Sequence, residues 1–143
     1  MTQRRALSLF FALILVEFLA QSSWAQPQGK VSETLAESGK VIFEKHCASC
    51  HGVDGSGGGP VASTLKTPPA DLTRIAERRG GSFPQSEIGS IIDGRSQVAS
   101  HGSREMPIWG RAFGQPVGGG ELGEEVARGS LATLVEYLRS IQR

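Results

Sequence analysis

"HCASCHGVDGSGGGP", residues 46–60, holds both cysteines of the chain and two of its three histidines. Cys47 and Cys50 stand two residues apart, His51 follows directly, and a run of glycines closes on Pro60. All the thiol chemistry of a 143-residue chain is thus gathered in one turn beside an imidazole. What leads into that turn decides its chemistry, and with it the fold.

A Cys47–Cys50 disulfide would close a loop too small to restrict the unfolded chain much. It would instead be a reactive pair of the thioredoxin-like kind, which sits at a helix start after a strand. Here "ETLAESGKVIFEKHCASCH", residues 33–51, reads as a helix that approaches the pair from the other side. Leu35, Gly39, Ile42 and Phe43 recur at helical spacing, and no strand-like alternation precedes the motif. A zinc site would need a fourth ligand, and an isolated Cys-x-x-Cys-His presents adjacent ligands in poor geometry. The remaining chemistry fits best, because Cys-x-x-Cys-His is the attachment motif of c-type haem. Each thiol can add to a vinyl group on one edge of the porphyrin, and His51 then lies beneath the ring, where its imidazole reaches the iron. A covalently held apolar disc also supplies core to a chain with 19 glycines and one tyrosine, whose own side chains offer little. His46 lies on the opposite side of the Cys-x-x-Cys turn from His51 and is expected to face solvent at the helix end.

The N-terminus agrees with attachment outside the cytoplasm. Arg4 and Arg5 open the chain, an apolar stretch runs from about Ala6 to Ala20, and Ser23-Trp24-Ala25 resembles a cleavage signal. Residues 1–25 therefore read as a secretory signal peptide, leaving 26–143 as a single domain. The apolar run is short of the ~20 residues that span a bilayer, so an N-terminal membrane anchor is the lesser alternative. Removing residues 1–25 takes away two Arg and one Glu and leaves 13 basic and 13 acidic residues. That balance provides no basic field for nucleic acid.

With these residues in view, the chain resembles class I, mitochondrial-type c-type cytochromes, in a small bacterial monohaem form. The resemblance runs from about Ser32 to Arg143. It rests on Cys47-Ala48-Ser49-Cys50-His51, on Gly39 and Phe43 ahead of it, on Pro60 closing "GSGGGP", on Met106-Pro107, and on Tyr137 in the final helix, "SLATLVEYLRSIQR". It implies one haem c anchored through Cys47 and Cys50, with His51 and Met106 as axial iron ligands. It also implies that the backbone carbonyl of Pro60 accepts a hydrogen bond from His51. An imidazole on iron needs such a fixed acceptor for its other nitrogen. Met106 is the only methionine after residue 25, and a thioether favours ferrous iron. His101, five residues earlier, is the rival ligand.

Between these landmarks the chain reads as short helices. "TPPADLTRIAERRGG" has prolines at its start and stops at Gly80-Gly81. "FPQSEIGSIIDGR" runs from Pro84 to Gly94 with Ile88, Ile91 and Ile92 on one face, for the haem pocket or for the core alone. "RAFGQPVGGGELGEE" reads as a glycine-rich surface loop. Trp109 suits packing on the haem, hydrogen bonding to a propionate, or simple core. Arg74, Arg78, Arg79, Arg95, Arg104 and Arg111 are candidates to neutralise propionates.

The expected fold is all-α: three to five short helices around one covalently bound haem, the first and last crossing near Gly39 and Tyr137. The expected function is that of a periplasmic one-electron carrier, not an enzyme, cycling haem iron between its ferric and ferrous states. Redox proteins are its expected partners, a membrane respiratory complex among them, with no small-molecule substrate. The alternative is an electron-input haem subunit of a dehydrogenase or terminal oxidase complex.

Overall fold

The computed structural model describes residues 28–94 and 106–143. The expected signal peptide, the rival ligand His101, and Arg95 and Arg104 lie outside the described residues. The chain divides into two compact units, Met1–Lys30 and Val31–Arg143, and the architecture here is that of the second.

Among the described residues every regular element is helical. Helix α1 is Gln28–His46, α2 Ala48–His51, α3 Ile75–Arg78, α4 Gln85–Asp93, α5 Trp109–Gly114 and α6 Gly120–Ser140. Tight 3-10 turns at Leu72–Arg74 and Gln115–Val117 lead into α3 and α6. The all-α class expected from the sequence is the one observed. Six α-helices exceed the three to five expected because α2 and α3 are single turns, which periodicity does not separate from their neighbours. The outer two are also long rather than short, at 19 and 21 residues.

The first and last helices meet where expected. A Cβ at Gly39 would lie 2.0 Å from the Thr133 carbonyl oxygen and 2.8 Å from Tyr137 Cβ, so α6 sits directly on the α1 backbone. One turn on, Phe43 is fully buried, with its ring 5.2 Å from that of Tyr137. A second tie holds the same pair of helices. Ser32 Oγ donates to the Glu136 carboxylate, and Arg139 donates to Ser32 Oγ at 2.9 Å and, through Nε, to Glu136 at 3.0 Å. The Arg139 and Ser32 hydrogen bonds hold the Glu136 carboxyl below its ordinary range. Gly39→Ala puts a methyl into the Thr133 backbone, which has no flexible end to give way. Overpacking of this kind costs ~1–3 kcal/mol, although alanine favours an isolated helix. The expected result is a lower melting temperature by circular dichroism, and an unchanged one would mean that the two helices can part there without loss.

Helix α4 runs between the expected punctuation marks. Pro84 occupies its N-cap, and Gly94 ends it in the left-handed conformation at φ 83°. Ile88 and Ile92 are buried and Ile91 half-buried, in one apolar cluster with Leu131, Leu134, Val135 and Leu138 of α6. Those isoleucines thus serve the core.

The expected surface loop at residues 111–125 is a correction. The chain there is helical through Gly114, tightens into a 3-10 turn, and enters α6 at Gly120. Gly114 and Gly123 do not break helices but let two of them touch. A Cβ on Gly114 would lie 2.5 Å from the Gly123 carbonyl oxygen, and one on Gly123 would lie 2.9 Å from that of Gly114. The final helix accordingly begins ten residues before the stretch that its sequence pattern marks.

Candidate cofactor site

Helix α1 stops at His46, Cys47 takes φ −119° and ψ −31°, and α2 restarts at Ala48. The Cys47 amide still donates to the Phe43 carbonyl at 2.8 Å, and the His51 amide to the Cys47 carbonyl at 2.9 Å. Residues three and four apart in such a turn share a face. Cys47, Cys50 and His51 therefore come together by local geometry alone. Both cysteines are free thiols and half-buried. Burial, and then the neighbouring Cys50, push the Cys47 thiol up to about 11. A disulfide-exchange nucleophile is favoured by the opposite shift. Among the described residues no set of three or more His, Cys, Asp or Glu side chains gathers as a metal site.

A helix end leaves carbonyls without partners, and the glycine run returns to supply them. The amides of Gly57, Gly59 and Val61 donate to the carbonyls of His51, Cys50 and Ser49 at 2.7, 3.0 and 3.1 Å. The loop thus zips back along the turn in reverse order. A Cβ on Gly59 would stand 2.3 Å from the Ser49 carbonyl oxygen, so only glycine fits that approach.

His51 Nδ1 lies 3.1 Å from the carbonyl oxygen of Ala70. The acceptor is therefore Ala70, not Pro60, which corrects the role expected for that proline. Pro60 is exposed and is held by its neighbours Gly59 and Val61 beside residues 49 and 50. The loop has turned back before the imidazole's edge is reached, and the following extended segment delivers the carbonyl instead. A backbone oxygen has no side-chain signature, so the sequence offered no direct sign of Ala70. The indirect one was Pro68-Pro69, which disfavours helix just before it. Asp71 then starts the next turn, accepting from the Thr73 amide at 2.9 Å and the Thr73 hydroxyl at 2.6 Å. A neutral imidazole that donates through Nδ1–H to Ala70 keeps Nε2 as its acceptor nitrogen.

His46 is not solvent-facing as expected but half-buried. Its ring meets Trp109 edge-on at 5.2 Å and Phe113 at 5.5 Å, and Trp109 stacks on Phe113 at 5.5 Å. Burial, and then the charge of Lys45, lower its pKa. This contact brings the segment after Met106 to the residue before Cys47, although some sixty positions separate them. Trp109 thus serves as packing for α1. Met106 itself stands 37% exposed at the head of that segment. Among the candidate arginines, Arg74 pairs with Glu77, Arg79 with Glu87, and Arg78 donates to the Asp71 carbonyl. Arg111 is exposed.

The family described as cytochrome c oxidase, cbb3-type, subunit III, matches residues 34–117, more than half of the chain. No curated protein and no solved structure matches it.

Proposed function

The chain belongs to this family of c-type cytochrome domains, and from that premise we propose that it is an exported one-electron carrier whose haem is held by Cys47, Cys50, His51 and Met106. Membership brings haem-based electron transfer through covalently bound haem c. When bound, that group supplies an iron that alternates between ferric and ferrous states.

One observation carries the assignment of residues: half-buried Cys47 and Cys50 share a turn with His51, whose Nδ1 is committed to Ala70. In this reading the two thiols would become the thioether anchors. The Ala70 carbonyl would hold the imidazole plane and make Nε2 a better donor to a bound iron. Met106 Sδ is the proposed ligand on the other side. The protein's task is to keep both ligands in place in either redox state, so that little rearrangement accompanies the electron.

The family's description favours a second reading, an electron-input subunit of a terminal oxidase complex, which would use the same haem chemistry. No helix among the described residues is long and apolar enough to cross a membrane, so in either reading attachment to a complex would rest on protein contacts or on the N-terminal segment.

Carbon monoxide separates an electron carrier from a haem enzyme or sensor. A ferrous protein with two residue ligands keeps its spectrum under the gas, whereas an open or labile iron shifts it. An immediate shift in the wild-type protein would overturn the carrier assignment. Purification from native membranes under mild detergent tells the two readings apart: a free carrier elutes alone, and a subunit elutes with oxidase activity.

A further inference from the structure

Ala70 has no side chain with which to hold its own carbonyl against His51, so its position is set by what grips the residues around it. On its C-terminal side Arg78 donates to the Asp71 carbonyl at 2.8 Å, and a second grip comes from the far end of the chain. The Gln142 side chain donates through Nε2 to the Leu72 carbonyl at 2.8 Å and to the Leu138 carbonyl at 2.6 Å. Its Oε1 accepts from the Ala76 amide at 2.9 Å. One amide thus spans the whole 3-10 turn that follows Ala70 and ties it to the end of α6. The Arg143 amide adds a bond to the Thr73 carbonyl at 3.0 Å. From the other side, the Leu72 amide donates to the Gly55 carbonyl at 2.7 Å, and Gly57 backs directly onto Pro69, where a Cβ would lie 2.4 Å from the Pro69 carbonyl oxygen. Gly57 in turn donates to the His51 carbonyl at 2.7 Å. The imidazole, the glycine loop and residues 69–72 therefore form a closed ring of contacts, and the Gln142 side chain grips Leu72 from outside that ring.

We infer that Gln142 is a positioning residue for His51, tuning the imidazole through the Leu72–Ala70 segment. This rests on His51 being the proximal ligand. A carbonyl held firmly at Nδ1–H gives the imidazole partial anionic character, which stabilises ferric iron. Loosening the segment weakens that bond, so the reduction potential moves upward. The ring N–H, less protected, exchanges faster with solvent.

The test uses the full haem-loaded protein. Gln142→Met keeps the side chain's length and removes all three hydrogen bonds. Gln142→Asn keeps an uncharged amide that is too short to bridge, and it carries the test if the Met variant does not fold. Two readouts are taken: the reduction potential, and the exchange rate of the His51 Nδ1 proton by NMR. Gly39→Ala serves as a variant destabilised away from residues 70–76. The expected result is a more positive potential and faster exchange in the Gln142 variants, with both unchanged in Gly39→Ala. A Gln142 variant that melts earlier yet keeps the wild-type potential and exchange rate would overturn the inference and make the residue purely structural. If the hyperfine-shifted imidazole proves not to belong to His51, the ligand assignment fails instead, and NMR distinguishes that outcome from the first.

Discussion

Serine in place of both Cys47 and Cys50 is expected to abolish covalent haem and to leave a largely unfolded chain. The physical reason is the size of the core. Phe43, Ile88, Ile92, Phe113, Leu134, Val135, Tyr137 and Leu138 are its larger buried apolar members, and they lie along α6 and the three helices packed on it, α1, α4 and α5. The turn and loop from Cys47 to Ala70 contribute only Ala48 to that core. That stretch is held by backbone hydrogen bonds among glycines, which carry a large conformational entropy when unfolded. A haem anchored there would supply the missing apolar bulk. A haem-stained denaturing gel reads the loss of attachment, and circular dichroism reads the loss of helix. A double variant that stays helical and melts cooperatively would show that the polypeptide organises itself without the group.

Met106→Ala is expected to have the largest effect on the iron with the least effect on the fold, since its side chain is partly exposed and belongs to no part of the buried core. If Met106 binds iron, the oxidised protein has a weak far-red sulfur-to-iron charge-transfer band. The alanine variant loses that band completely, its potential falls, and its ferrous form binds carbon monoxide stoichiometrically where the wild type binds none. Met106→His closes the site again at a lower potential, because imidazole stabilises ferric iron better than a thioether does. His101→Ala leaves all of these properties intact. The reverse pattern, with His101→Ala opening the iron and Met106→Ala silent, would make this a bis-histidine cytochrome. Trp109 offers an internal check on the fold in these variants. Its stacking on Phe113 and its edge-on contact with His46 anchor the segment three residues beyond Met106, so its fluorescence is expected to stay near the wild-type value when only the ligand is changed.

Local interactions were legible in the sequence wherever neighbours in the chain decide the outcome. Cys47, Cys50 and His51 share a turn because three- and four-residue separations do so in any helix. Helix α4 begins after Pro84 and ends at Gly94 because proline and glycine impose those limits whatever surrounds them. The crossing of α1 and α6 at Gly39 was also readable, through the resemblance that pairs a small residue there with an aromatic in the last helix.

Tertiary structure decided what depends on partners far away in the chain. Gly114 and Gly123 look like loop residues, since a glycine that eases a turn and a glycine that admits a neighbouring backbone are the same letter, and only the approach of α5 to α6 tells them apart. His46 looks solvent-facing until α5 brings Trp109 and Phe113 onto it. The acceptor for His51 moved from Pro60 to Ala70 because a carbonyl belongs to every residue alike. Which one reaches the imidazole is set by the loop's return along α2 and by the grip of Gln142 on Leu72. Side-chain chemistry and local spacing are properties of the sequence by itself, whereas the identity of a backbone partner is a matter of where distant segments come to rest.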